Sequence, residues 1–129
     1  MNHDALASTM SAVLNYEKSS KKEIVVNPVS KIIKHVLNIL NENGYVGKYD
    51  EMTEAKGGFI KLYLLGNINK CGVIKPRFAV TLQEFTKFEK RYLPAEGVGI
   101  IIISTPKGLM TLSEAREKKT GGRLIAYCY

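Results

Sequence analysis

A chain of 129 residues, 45% of them apolar, can bury a core. It has little interior left for an enclosed small-molecule cavity, because a compact chain of this size hides only roughly two thirds of its unfolded surface. That disfavours an enzyme with a deep pocket and favours a function carried on the surface of one domain or two small lobes. A formal charge of +7 and a pI near 9.4 point to a polyanionic partner, since neutralising phosphates releases counterions. The excess is uneven: residues 69–129 carry eleven basic and five acidic side chains, a net of +6, and residues 1–68 carry +1.

Asp4 is placed to cap a first helix over about 4–17, where Leu6, Met10, Val13 and Leu14 recur at helical spacing. Ile24, Val25 and Val26 read as a strand that stops at Asn27 and Pro28, two residues suited to the cap and first position of a second helix. Val29, Ile32, Ile33, Val36, Leu37 and Leu40 form one apolar stripe on it, with Lys31, Lys34 and Asn38 opposite, until Asn43 and Gly44 end the helix. Tyr45 to Tyr49 and the alternating run Phe59 to Leu65 predict an antiparallel hairpin around Gly57 and Gly58. Residues 1–67 therefore read as an αβαββ lobe. Gly66 to Gly72 breaks the periodicity and concentrates turn formers, so a second lobe is expected over 68–129.

That lobe reads as mostly β with short helices, which makes the fold class α+β. Extended pieces lie around Ile74 and from Phe78 to Leu82, followed by a helix near 83–93 that carries Phe85, Phe88 and Tyr92. Val98 to Ile103 is apolar on both faces, as a strand covered on both sides must be. Leu109 and Met110 extend briefly, and Thr111 with Glu114 makes a capping box for a short helix ending near Lys118. Gly121 and Gly122 then turn the chain into a last strand, Arg123 to Tyr129.

Cys71 and Cys128 are far apart, with no CxxC pair and no histidine at metal-ligand spacing, which argues against a disulfide framework or a zinc site. Two reduced thiols in a reducing compartment are expected. The N-terminus has no basic stretch leading into an apolar run, and no apolar run approaches the roughly 18 residues of a membrane span. The expectation is a soluble, cytoplasmic protein with no metal, no cofactor and no small-molecule substrate.

Ser104-x-x-Lys107, with Lys119, Thr120 and Gly121 downstream, matches the spacing of serine acyl-transferases. That chemistry needs the serine at a helix start with the lysine one turn on. Gly108 and the apolar Leu109 and Met110 favour a hairpin instead, and no Ser-Asp-Asn element exists. Gly97 and Gly99 precede a strand rather than a helix and make a turn, not a dinucleotide fingerprint. His3 and His35 stand alone, without a carboxylate-rich neighbourhood. Lys18 to Lys22 reads as a solvated loop, whereas Lys31 and Lys34 sit near a helix N-terminus that favours anions.

Ser104 to Gly108 differs in kind: two hydroxyls, a proline, a cation and a glycine share one short connection between two strands. The shallow minor groove of A-form RNA displays 2′-hydroxyls and base edges that hydroxyls and backbone amides can read while a lysine meets phosphate. Pro106 lowers the cost of ordering such a loop. RNA binding here is weighed against an ordinary hairpin turn, and against a duplex-DNA-binding protein at the level of the whole chain.

The run from Gly97 to Tyr129 closely resembles the C-terminal signature of small-subunit ribosomal protein eight. The resemblance is carried by Ser104, Thr105, Lys107, Gly108, Met110, Thr111, Glu114, Ala115, Arg116, Gly121 and Gly122. Asp4 to Asn15, Pro28 to Lys31 and Asn43 to Val46 resemble the family's first helix and the ends of its second. Gly66 to Phe78 looks like its archaeal and eukaryotic branch. The resemblance implies a non-enzymatic constituent of the ribosome that binds the central domain of small-subunit (16S) ribosomal RNA and helps assembly. It also implies neighbouring ribosomal proteins as partners and a monomer outside the ribosome. Carried over by position, Ser104, Thr105, Pro106, Lys107 and Gly108 resemble the loop that enters the RNA minor groove, and Lys31, Lys34 and Lys56 resemble supporting phosphate contacts. Asp4, Asn15, Arg77, Gly121 and Gly122 complete the expected RNA-binding set. Leu14 stands where many bacterial members have arginine, so that turn of the first helix supplies no cation.

Overall fold

The computed structural model describes residues 5–26, 30–52, 59–95 and 97–129. His3, Asp4, Asn27, Pro28, Val29, Lys56, Gly57 and Gly58, all invoked above, lie outside this set. The chain divides into two compact units, Met1–Lys70 and Cys71–Tyr129.

In the first unit the elements are α1 (Ala5–Lys18), β1 (Glu23–Val26), α2 (Lys31–Glu42), β2 (Val46–Met52) and β3 (Phe59–Leu64). The strands form one antiparallel sheet in the order β1-β3-β2. Alternation decides which face is covered: Ile24, Val26, Ile60, Leu62 and Leu64 are buried, while Glu23, Val25, Lys61 and Tyr63 point the other way. Leu6, Met10 and Val13 of α1, with Ile33, Val36, Leu37 and Leu40 of α2, are buried with them. Each large aliphatic side chain taken out of water in this way contributes about 1.5–3 kcal/mol.

The start of α2 differs from the sequence expectation. Ser30, not Asn27, is the N-cap: its backbone is extended and its hydroxyl accepts the Ile33 amide at 3.3 Å. A serine three residues before a free helical N–H satisfies one of the orphan donors of the first turn, and so sets the boundary. Strand β2 also runs to Met52, beyond the Tyr49 anticipated.

The second unit contains β4 (Cys71–Val73), β5 (Ala79–Val80), a 3-10 turn at Leu82–Glu84, α3 (Phe85–Tyr92), β6 (Ile100–Thr105), β7 (Gly108–Thr111), α4 (Leu112–Glu117) and β8 (Gly122–Cys128). Its antiparallel sheet has the order β4-β8-β6-β7, and β5 also pairs with β8. Ile101, Ile103, Met110 and Leu124 pack with Phe85 and Phe88 of α3 and Leu112 and Ala115 of α4. On the opposite face Ile102 and Ala126, partners in register, are fully buried, as the continuous β-branched run requires. Val98 is not part of this strand; it makes an isolated bridge to Ala95 and is exposed.

The capping box forms as expected. Thr111 Oγ1 accepts the Glu114 amide at 3.3 Å, and the Glu114 carboxylate accepts the Thr111 amide at 3.3 Å. Arg116 forks onto both oxygens of Glu89, linking α4 to α3, and this hydrogen bonding raises the guanidinium pKa further. Both units combine helices with antiparallel strands, and the fold is α+β.

Candidate nucleic-acid interface

The segment from Ser104 to Gly108 is a hairpin tip, tighter than the loop expected from sequence. Ser104 and Thr105 are the last residues of β6 and Gly108 the first of β7, so only Pro106 and Lys107 form the turn. Proline's ring keeps its φ negative and Lys107 does not adopt a positive φ, so the left-handed residue this reversal needs is Gly108, at φ 116°.

The two hydroxyls have different jobs. Thr105 is buried, and its Oγ1 donates to the Gly108 carbonyl at 2.8 Å while accepting the Lys107 amide at 3.1 Å. Its hydrogen-bonding capacity is spent on closing the turn. Ser104 is half-buried and directly opposite Arg123 across the β6–β8 ladder. Its side chain therefore shares the sheet face opposite α3 and α4 with that of Arg123.

Gly122 makes this arrangement possible. A Cβ at that position would lie 2.0 Å from the Ser104 carbonyl oxygen, and one at Gly121 would lie 2.6 Å from the Val80 carbonyl oxygen. Both glycines are close-approach sites for backbone, Gly122 against the end of β6 and Gly121 against the end of β5. Arg123 Nη1 donates to the Arg77 carbonyl at 3.4 Å, so the expected contact residue Arg77 is joined to the Ser104 side of the sheet.

Lys107 reaches back along its own unit: its Nζ donates to the Lys118 carbonyl at 3.3 Å, at the C-terminal end of α4. Lys119 follows in the left-handed region, at φ 54°. Its amide bonds to the Arg116 carbonyl and that of Thr120 to the Ala115 carbonyl. This is a helix-ending motif in which glycine is usual and lysine strained. Three ammonium-bearing residues, Lys107, Lys118 and Lys119, thus gather beside the tip, all exposed. Among the described residues no carboxylate pairs with any of them.

The same arrangement removes the acyl-transferase geometry. Ser104 ends a strand, Lys107 lies in the turn, and the lysine ammonium is bound to a carbonyl 11 residues on in sequence.

In the first unit Asn15 is exposed on α1 and Lys31 is exposed at the start of α2. Lys34 is different: it forms an ion pair with Glu51 of β2 at 2.5 Å, which offsets its charge. Asp4 and Lys56 lie outside the described residues.

The expected set omitted Lys118, Lys119 and Arg123. The signal for the two lysines was the density of the run Lys118-Lys119-Thr120-Gly121-Gly122-Arg123, but only the Lys107 hydrogen bond ties that run to the hairpin. Arg123 becomes visible only through its register with Ser104.

Two α+β units with antiparallel sheets, the second carrying a lysine-flanked hairpin between β6 and β7, define a small basic α+β protein. The model of the ribosomal protein S8 family matches residues 4–129, and the chain belongs to that family. It is also similar to the small ribosomal subunit protein uS8 of Desulfurococcus amylolyticus. The two are 50% identical over 129 residues, covering 98% of this chain and 97% of the relative. Among the described residues no helix is long and apolar enough to cross a membrane.

Proposed function

We propose that this chain is the uS8 constituent of an archaeal small ribosomal subunit, a structural rather than catalytic component. It binds the central domain of 16S ribosomal RNA directly and helps the subunit assemble, beside neighbouring ribosomal proteins. The observation that carries this reading is the pre-closed hairpin: the Thr105 hydroxyl and Pro106 hold the tip in one shape, and the Lys107 cluster surrounds it with uncompensated positive charge. A preformed tip loses little entropy on entering a shallow groove. In that groove Ser104 Oγ and nearby backbone amides meet 2′-hydroxyls and base edges, while Lys107, Lys118, Lys119 and Arg123 meet phosphates. Asn15, Lys31 and Arg77 supply further contacts.

The test is binding to a central-domain 16S fragment across a salt series, with a DNA duplex of equal length as the comparison. Removing one phosphate contact lowers the slope of log K against log salt by about 0.9. Lys107→Ala is expected to weaken binding and flatten the slope by about one unit. Equal affinity for the DNA duplex would sink the RNA reading, and an unchanged slope would remove Lys107 from the contact set.

A further inference from the structure

Far apart in sequence, Cys71 and Cys128 are direct partners across the β4–β8 ladder. Both are buried, and no disulfide joins them in this structure. The type of pair follows from a neighbouring bond. The Ile74 amide donates to the Ile125 carbonyl at 2.9 Å, one register step beyond the Val73–Ala126 pair, so Ile74 and Ile125 stand at a hydrogen-bonding position of the ladder. Such positions alternate along an antiparallel ladder, which makes Gly72–Tyr127 hydrogen-bonded and Cys71–Cys128 non-hydrogen-bonded. Non-hydrogen-bonded partners have Cα atoms about 4.5 Å apart with side chains on the same face, within the span that a disulfide bridges.

We propose that Cys71 and Cys128 are a built oxidation site, at which a small disulfide oxidant closes an intramolecular cross-strand disulfide. Strand β4 is three residues long and lies at one end of the strand order. A short edge strand opens locally at low free energy, and such opening admits the oxidant to Cys71. The Cys71 thiolate attacks the oxidant R–S–S–R, forming Cys71–S–S–R and releasing RS⁻. The Cys128 thiolate then attacks the Cys71 sulfur and displaces the second RS⁻. Two protein thiols are oxidised, one external disulfide is reduced to two thiols, and two protons pass from the cysteines to the released thiolates. The bond would tie the first residue of the second unit to its penultimate residue, so nearly the whole unit lies within the closed loop.

Reduced full-length protein incubated natively with glutathione disulfide, then unfolded and alkylated, reads this directly. The expected result is a monomer lighter by two hydrogens, with alkylatable thiols falling from two to none. Its melting temperature should rise by about 10 °C, reversed by dithiothreitol, as closure of a long loop should produce. Cys128→Ala should retain one glutathione adduct at Cys71, trapping the first step. Two thiols that stay alkylatable, stable glutathione adducts on the wild type, or disulfide-linked dimers would each overturn the proposal.

Discussion

Ser104 and Thr105 are adjacent hydroxyl residues that sequence reasoning treats alike. Thr105 spends its hydroxyl on the Gly108 carbonyl and the Lys107 amide, while among the described residues Ser104 Oγ makes no side-chain hydrogen bond. Thr105→Val is therefore expected to destabilise the second unit by about 1–3 kcal/mol, because the turn loses both hydrogen bonds that close it, each contributing about 0.5–1.5 kcal/mol. RNA affinity should fall with it as the tip loosens. Ser104→Ala should leave the melting temperature within about 1 °C while lowering discrimination between the matched RNA helix and a mismatched one. Thermal denaturation beside paired RNA titrations separates the two. If Thr105→Val left stability intact, its hydroxyl would not be the clasp of the turn.

Elements owe their type to local pattern and their edges to single side chains. The stripe of α2 and the alternation of β3 were legible because helical and strand periods differ. The start of α2 was misplaced because Asn27-Pro28 and Ser30 both offer cap chemistry, and only the hydrogen bond to Ile33 decides between them. The ends of β6 were shifted for a similar reason: pairing with β7 and β8 carries it through Thr105, and no residue pattern prints that register. Strand β8 can lie this close to β6 only because Gly122 has no side chain. Gly122→Ala would force Cβ against the Ser104 carbonyl, and is expected to cost about 3 kcal/mol, at the upper end of overpacking penalties. Chemical denaturation of the variant measures this, and a loss below about 1 kcal/mol would mean the ladder can shift to make room.

At the scale of the molecule, charge separates the two units, and ion pairing refines the separation. The second unit holds most of the excess, and its lysines at the hairpin are uncompensated, whereas Lys34 in the first unit faces Glu51. Lys31→Ala should therefore lower the salt slope of RNA binding by up to about one unit, while Lys34→Ala should leave it nearly unchanged. Equal effects from the two would show that the Glu51 pair opens in the complex. The sequence by itself determined the α+β class, the buried faces, the capping box at Thr111, the charge asymmetry and the hairpin as the place to look, because these follow from local period and composition. Tertiary structure alone decided which hydroxyl stays available, which lysine is neutralised, why Gly122 must be glycine and that two distant cysteines meet. Each of those depends on register between strands that are remote along the chain, and register is set by the packing of the whole sheet.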